Sequence, residues 1–142
     1  MAVKKIKVNI IIEVLGNPKE HVNETLNLLV KRLKEDTKLS VAKTQIFDAV
    51  PVEKTPMWTG FVETEIHFKK FEDLTGFCFD YYPSSVEIIE PEKLDLNAPE
   101  LTMLFNDIAA RLHKTHTLVR DIHAQNRVLA KELMKQREAE KK

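Results

Sequence analysis

The chain has 142 residues, with 22 Lys and Arg against 22 Asp and Glu, and it contains one cysteine. Zero net charge gives the whole chain no electrostatic attraction to nucleic acid or to an anionic membrane, so we expect neither as a partner. No apolar run reaches the roughly 18 residues that a membrane-spanning helix needs. A single cysteine excludes an internal disulfide and a thiolate zinc site, and it points to a reducing, cytoplasmic environment.

The first predicted elements are a strand and a helix. Apolar side chains occupy every second position of residues 6–14, which predicts a strand with one strongly apolar face. After it, Asn17 as cap, Pro18 in the first turn and Glu20 as the returning partner predict a helix that ends near Asp36. The apolar face of this helix consists of Val22, Leu26, Leu29, Val30 and Leu33.

The rest of the first 95 residues alternates between strands and one more helix. We predict a strand over Ser40–Ala49, a proline-containing loop over Val50–Pro56, a strand from Trp58 to about Lys69, a short helix over Lys70–Tyr82 and a strand over Ser84–Glu90. The apolar positions of the short helix are Phe71, Leu74, Cys78 and Tyr81, so Cys78 is expected to be a buried core thiol.

The order βαββαβ predicts an α+β fold of the ferredoxin-like type, a sandwich in which two helices cover one face of a four-stranded antiparallel sheet. We assign it to residues 1–95 and assign residues 96–142 to a separate long helix. The uncovered sheet face would present Lys7, Asn9, Glu13, Glu63, Glu65 and His67.

The long helix has a clear predicted start. Asn97 is its cap, Glu100 completes a capping box, and Pro99 lies in the first turn where it removes no intrahelical hydrogen bond. The helix should continue to about Gln136, with the polar residues Lys135 to Lys142 frayed. About 40 helical residues extend roughly 60 Å, which is longer than a domain of this size is wide.

A seven-residue repeat runs along this helix. Its a positions are Phe105, Leu112, Val119, Asn126 and Leu133, and its d positions are Ile108, Thr115, Ile122, Leu129 and Gln136. Such a pattern predicts a coiled coil with a second copy of the chain. A lone Asn at an a position favours two parallel strands in register, and Glu132 would attract Arg137 of the other chain. The alternative is that the first turns fold back over the open sheet face of their own chain.

Two groups of side chains suggest ligand or metal binding as an alternative. Glu13, Glu63, Glu65 and His67 would share the open sheet face, where carboxylates and imidazole could bind a metal or transfer protons. His113 and His116 stand three residues apart on the long helix, a spacing that suits two metal ligands. The same spacings are those of any solvated strand or helix face, so we expect no metal and no cofactor.

Nucleic-acid binding is a further alternative. RNA-recognition domains of ferredoxin-like fold place stacking aromatic and basic residues on their central strands, whereas here Phe61 is followed by Glu63 and Glu65, which would repel phosphate. Basic residues also lie along the long helix and could contact nucleic acid there: Arg111, Arg120, Arg127, Lys131, Lys135 and Arg137.

Three segments resemble a group of uncharacterised archaeal proteins of similar length. They are Asn17-Pro-Lys-Glu-His-Val-Asn-Glu-Thr-Leu, Pro83-Ser-Ser-Val-Glu-Ile-Ile-Glu-Pro, and the stretch from Leu101 to His113. The resemblance implies an archaeal, cytoplasmic protein with a ferredoxin-like domain and a C-terminal helix, and it implies no activity or cofactor. With no phosphate-binding loop or nucleophile motif in the chain, we expect a homodimeric interaction or scaffold protein that is not an enzyme.

Overall fold

The computed structural model describes residues 5–142, so the first four residues of the predicted domain lie outside it. Seven elements follow one another: β1 Ile6–Gly16, α1 Lys19–Glu35, β2 Ser40–Pro51, β3 Trp58–Phe68, α2 Phe71–Tyr81, β4 Ser85–Glu90 and α3 Ala98–Glu140. The chain divides into two units, Met1–Asp95 and Leu96–Lys142.

The four strands form one antiparallel sheet in the order β2-β3-β1-β4. The central pair is in register from Ile6 opposite Phe68 to Gly16 opposite Trp58. With α1 between β1 and β2, and α2 between β3 and β4, this is the split βαβ arrangement. The predicted ferredoxin-like α+β fold is therefore confirmed, as is the long helix after it.

The core lies between the sheet and the two helices of the first unit. Alternate residues of β1 and β3 face it because successive side chains of a strand point to opposite faces. Val22, Leu26 and Leu33 of α1 are fully buried against them, as the helical spacing predicted. The buried apolar residues of the strands are Ile6, Val8, Ile10, Ile12, Ala49, Val62, Ile66 and Phe68.

Strand β2 is longer and less regular than predicted. It runs to Pro51, so the expectation that Val50 begins a loop is wrong; β2 is an edge strand, where a proline removes no necessary ladder bond. Its pairing shifts register twice, and a side chain completes the backbone bonding near each shift. Asn23 of α1 accepts from the N–H of Ala49 at 3.0 Å, and Thr64 donates to the carbonyl of Lys43 at 2.9 Å.

The short helices differ from the predictions in detail. Helix α1 begins at Lys19 with Pro18 at the N-cap position and no side-chain cap bond, so the predicted Asn17 cap is wrong: Asn17 lies one residue before the cap. In α2 the buried residues are Leu74, Phe77 and Tyr81, whereas Cys78 is half-buried at the edge of the core. The packing of α2 on the sheet selects Phe77 over its smaller neighbour.

Helix α3 begins as predicted and continues further than predicted. Asn97 Oδ1 accepts from the N–H of Glu100 at 3.0 Å, and the N–H of Asn97 donates to Glu100 Oε2 at 2.8 Å, which confirms the capping box. The helix continues to Glu140, four residues beyond the predicted end near Gln136. Residues 135–140 are Lys, Gln, Arg, Glu, Ala and Glu, all strong helix formers.

Candidate functional site

Most of the exposed large apolar side chains of residues 5–142 lie on α3. This helix has 43 residues with no Gly, and its single Pro lies in the first turn, so nothing interrupts its hydrogen bonding. A repeat of three and four residues on a continuous helix brings the a and d positions to one side, here called the seam. The predicted dimerisation residues on it are Phe105, Ile108, Leu112, Val119, Ile122, Asn126, Leu129 and Leu133.

The apolar side chains of the seam are exposed. None of the α3 residues is buried, and six of the seam side chains are 44–64% exposed: Phe105, Leu112, Val119, Ile122, Leu129 and Leu133. Ile108 is half-buried. Exposed apolar side chains repeated along one side of a helix are typical of an interaction surface.

Polar residues interrupt and flank the seam at defined positions. Thr115 and Asn126 occupy one d and one a position, so two of its layers carry a hydrogen-bonding side chain. Glu132 and Arg137 occupy g and e positions at its C-terminal end. In a parallel pair of helices, a g residue of one chain faces the following e residue of the other.

The histidines of α3 do not form part of a metal centre in the structure. His113 and His116 lie on successive turns of the helix and both are exposed. Within residues 5–142, no group of three or more His, Cys, Asp or Glu side chains is placed to hold a metal ion. The pair therefore has no third protein ligand among the described residues.

The predicted ligand residues of the sheet lie on its outer face but make separate contacts. Glu63 accepts a hydrogen bond from Asn9 Nδ2 at 3.0 Å, and Glu13 accepts one from Thr59 Oγ1 at 2.6 Å. Each of these two carboxylates therefore has a cross-strand hydrogen-bond partner.

The side chain of Glu65, on the same face, is 15% exposed. His67 Nε2 donates to Glu65 Oε1 at 3.0 Å, and Lys7 Nζ lies 3.7 Å from the same oxygen. The hydrogen bond from His67, helped by the charges of Lys7 and Lys43 and opposed by desolvation, lowers the pKa of Glu65. The group is an ionised member of a cross-strand network, with Lys7 and His67 as its partners.

Two aromatic contacts were not predicted from the sequence. On the outer sheet face Phe47 stacks on Phe61, with ring centroids 4.5 Å apart. Between the helix ends Tyr81 donates to Asp36 Oδ2 at 2.9 Å, while the Arg32 guanidinium lies 4.6 Å from the centroid of the Tyr81 ring. Burial and the Asp36 carboxylate raise the pKa of Tyr81 to about 12. The first contact packs β2 against β3, and the second connects the end of α1 to α2.

The single cysteine does not have the surroundings of a nucleophile. Burial raises the pKa of the Cys78 thiol, so the thiolate, which is the reactive form, is disfavoured. Cys78 packs against the core with Leu74 and Phe77.

Fold and site together define an α+β protein of ferredoxin-like topology with a long C-terminal helix that carries an exposed heptad seam. A model of the MJ0538 family matches residues 7–139, and the chain belongs to this family. The predicted resemblance to an archaeal family without a known activity is thereby confirmed.

The chain shares sequence identity with one curated relative over part of its length. The chain is 37% identical to "Uncharacterized protein MJ0538" of Methanocaldococcus jannaschii over 98 residues, which make up 68% of this chain and 36% of the relative. The match thus spans about a third of that protein's length, so the expectation of similar length is wrong for this relative. No solved structure matches the chain. None of the helices within residues 5–142 has the length and apolar character that crossing a membrane requires.

Proposed function

We propose that the chain is a non-enzymatic, cytoplasmic interaction or scaffold protein that forms a parallel homodimer through the seam of α3. The observation that carries the proposal is the exposed seam on a helix that is continuous from Ala98 to Glu140. A second copy supplies an identical seam with the same period, which is what knobs-into-holes packing requires.

The energy for pairing comes from the apolar side chains. Burying a Leu, Ile, Val or Phe side chain is worth about 1.5–3 kcal/mol relative to full exposure. Six seam side chains per chain that are only half covered leave several kcal/mol per chain to be gained by association. Most of the stability of a long amphipathic helix comes from such packing rather than from intrinsic propensity.

The polar positions favour parallel pairing in register. Two Asn126 side chains would face each other across the seam and exchange a hydrogen bond, whereas a shift by one heptad would bury each of them against an apolar layer. In the same register Glu132 of one helix would face Arg137 of the other. This arrangement keeps eight apolar layers from Leu101 to Leu133 matched with themselves.

The absence of catalysis in this proposal is supported by the state of the reactive groups. Glu13 and Glu63 accept hydrogen bonds from neighbouring strands, Glu65 accepts one from His67 of its own strand, and burial raises the pKa of the Cys78 thiol. Catalytic groups are instead expected to converge on one pocket where a reacting atom can sit.

Adjacent residues of α3 provide a matched test. Leu129 and Leu133 lie on the seam. Val128 and Met134 are their neighbours in sequence, with similar exposure, but they occupy c and b positions that face away from the seam. We expect the double variant Leu129→Lys/Leu133→Lys to weaken dimerisation at least ~100-fold, because two leucines on each chain lose their burial. Val128→Lys/Met134→Lys should leave the dimer intact.

The measurement is the molar mass of each full-length variant by light scattering after size exclusion, across a range of micromolar concentrations. Fluorescence of Trp58, the single tryptophan of the chain, which lies in β3, would establish that the first unit remains folded in both. Equal loss of dimer in the two variants, or no loss in either, would contradict the assignment of the seam.

A further inference from the structure

The charges of the chain are segregated, although their sum is zero. The unit Leu96–Lys142 carries nine Lys and Arg against six Asp and Glu, and Met1–Asp95 carries thirteen against sixteen. All nine basic residues of α3 and its tail follow Ala110, together with only four of the six acids. The C-terminal half of α3 is therefore a basic segment joined to an acidic domain.

Between Arg120 and Lys135, all four basic residues lie on the side of α3 that faces away from the seam. The heptad places Arg120 and Arg127 at b positions, Lys131 at f and Lys135 at c, and these four are called the basic face. Positions b, c and f stay in solvent when a coiled coil forms. The basic face spans about 22 Å along the helix axis.

The basic face is available to an external anion. All four side chains are exposed, and within residues 5–142 no carboxylate forms an ion pair with any of them. Asp121 and Glu138 lie on the same side of the helix and moderate its positive potential without pairing. Two chains paired in parallel would carry eight such cations on one rod.

We propose that the basic face binds the phosphate backbone of a nucleic-acid duplex. A duplex presents about one negative charge per 1.7 Å of its axis, a linear array that suits cations distributed along a helix. Arg and Lys are the side chains that proteins use for phosphate contacts. This inference goes beyond the proposed dimerisation, because it uses the surface that pairing leaves free.

An anionic membrane fits these observations less well. A helix that lies on a membrane inserts a wide apolar face into the headgroup region. In α3 the apolar face is the seam, which pairing would cover, and the side of the helix that carries the basic face also carries Asp121 and Glu138. Contacts to phosphate alone also predict binding that depends strongly on salt and little on base sequence.

The test uses full-length protein and fluorescein-labelled duplexes of DNA and of RNA, each about 30 base pairs long and of mixed sequence, with affinity read by fluorescence anisotropy at several salt concentrations. The first variant replaces Arg120, Arg127, Lys131 and Lys135 by Gln. The matched control replaces four exposed lysines of the first unit by Gln and so removes the same charge: Lys34, Lys38, Lys54 and Lys69.

We expect the basic-face variant to lose affinity at least ~10-fold at about 0.1 M salt and to show a shallower dependence of binding on salt, since each lost phosphate contact removes about 0.9 from the slope. The control should change affinity less than ~2-fold. Asp121→Asn/Glu138→Gln should bind more tightly than the unmodified chain.

Three outcomes would overturn the proposal: no binding of the unmodified chain to either duplex at low salt, equal losses in both quadruple variants, or binding to vesicles rich in phosphatidylserine without binding to either duplex. Sedimentation of the same samples reports the oligomeric state separately. If the protein is a monomer that binds duplexes through the basic face, the proposed dimer is wrong and duplex binding by the basic face is supported.

Discussion

Gly60 lies where β3 passes closest to α1. A Cβ at this position would be 2.6 Å from Leu26 Cδ1 and 3.1 Å from the carbonyl oxygen of Phe47, and Leu26 is fully buried. We therefore expect Gly60→Ala to lower the free energy of unfolding by about 1–3 kcal/mol, the usual cost of overpacking.

Gly76 in α2 is the matched control for that substitution. Nothing lies within 4 Å of a Cβ built at this position. Gly76→Ala should raise the free energy of unfolding by about 0.5–1 kcal/mol, because alanine favours a helix interior over glycine. Urea denaturation of both variants checks the pair, and a destabilised Gly76→Ala or an unchanged Gly60→Ala would contradict the packing described.

Tyr81 makes the stability of the first unit depend on pH in the alkaline range. Its pKa is raised from 10 to about 12 in the folded chain, so the folded state favours the protonated phenol. The stabilisation is fully present below pH 10 and is lost as pH rises through about 12.

The variant Tyr81→Phe isolates this effect from the titration of lysines in the same range. At neutral pH it should unfold about 1–2 kcal/mol more easily than the unmodified chain, because the hydrogen bond to Asp36 is lost. The difference should shrink between pH 10 and about 12. Chemical denaturation at several pH values measures it, and a difference that is independent of pH would show that the bond does not control the titration.

At the scale of elements, the predictions succeeded where local sequence decides the structure. The alternation in β1 and the capping box of Asn97 and Glu100 depend on residues close together in the chain, and both were predicted correctly. They failed where packing between distant elements decides. Phe77 and Cys78 both fit a helical stripe, and only the docking of α2 on the sheet selects Phe77.

The seam of α3 was predictable as a pattern for the same reason, since a heptad repeat is local. Its polar member Asn126 allows a test of register. We expect Asn126→Ile to raise the melting temperature, because an apolar layer replaces a polar one, and to allow trimers or tetramers beside dimers. Thermal denaturation and light scattering measure the two effects. Lower stability with an unchanged dimer would contradict the role of Asn126 in specifying two strands.

The direction of pairing has a test of its own within this element. In a Cys78→Ala background, Leu129→Cys should form a disulfide with itself across a parallel dimer under mild oxidation, and Val128→Cys should not. An antiparallel pair that places Asn126 opposite Thr115 would instead link Leu112→Cys to Leu129→Cys. Cross-linking of that mixture without self-linking of either variant would contradict the parallel arrangement.

At the scale of the whole molecule, the composition concealed the property that distinguishes the two units. Equal totals of acidic and basic residues predicted no attraction to nucleic acid, but counting each unit separately gives an acidic domain and a basic helix. The sequence predicted which residues lie on the outer face of the sheet, but it did not predict their hydrogen-bond partners. Only the register of β1 and β3 shows that Glu13, Glu63 and Glu65 each have a different partner.

We propose that α3 joins two copies of the chain. Sedimentation equilibrium of the unmodified full-length protein at micromolar concentration tests it most directly, because the method reports mass without a label or an assumption about shape. We expect twice the mass of a single chain, with dissociation only on dilution. A single-chain mass over the whole concentration range would contradict it.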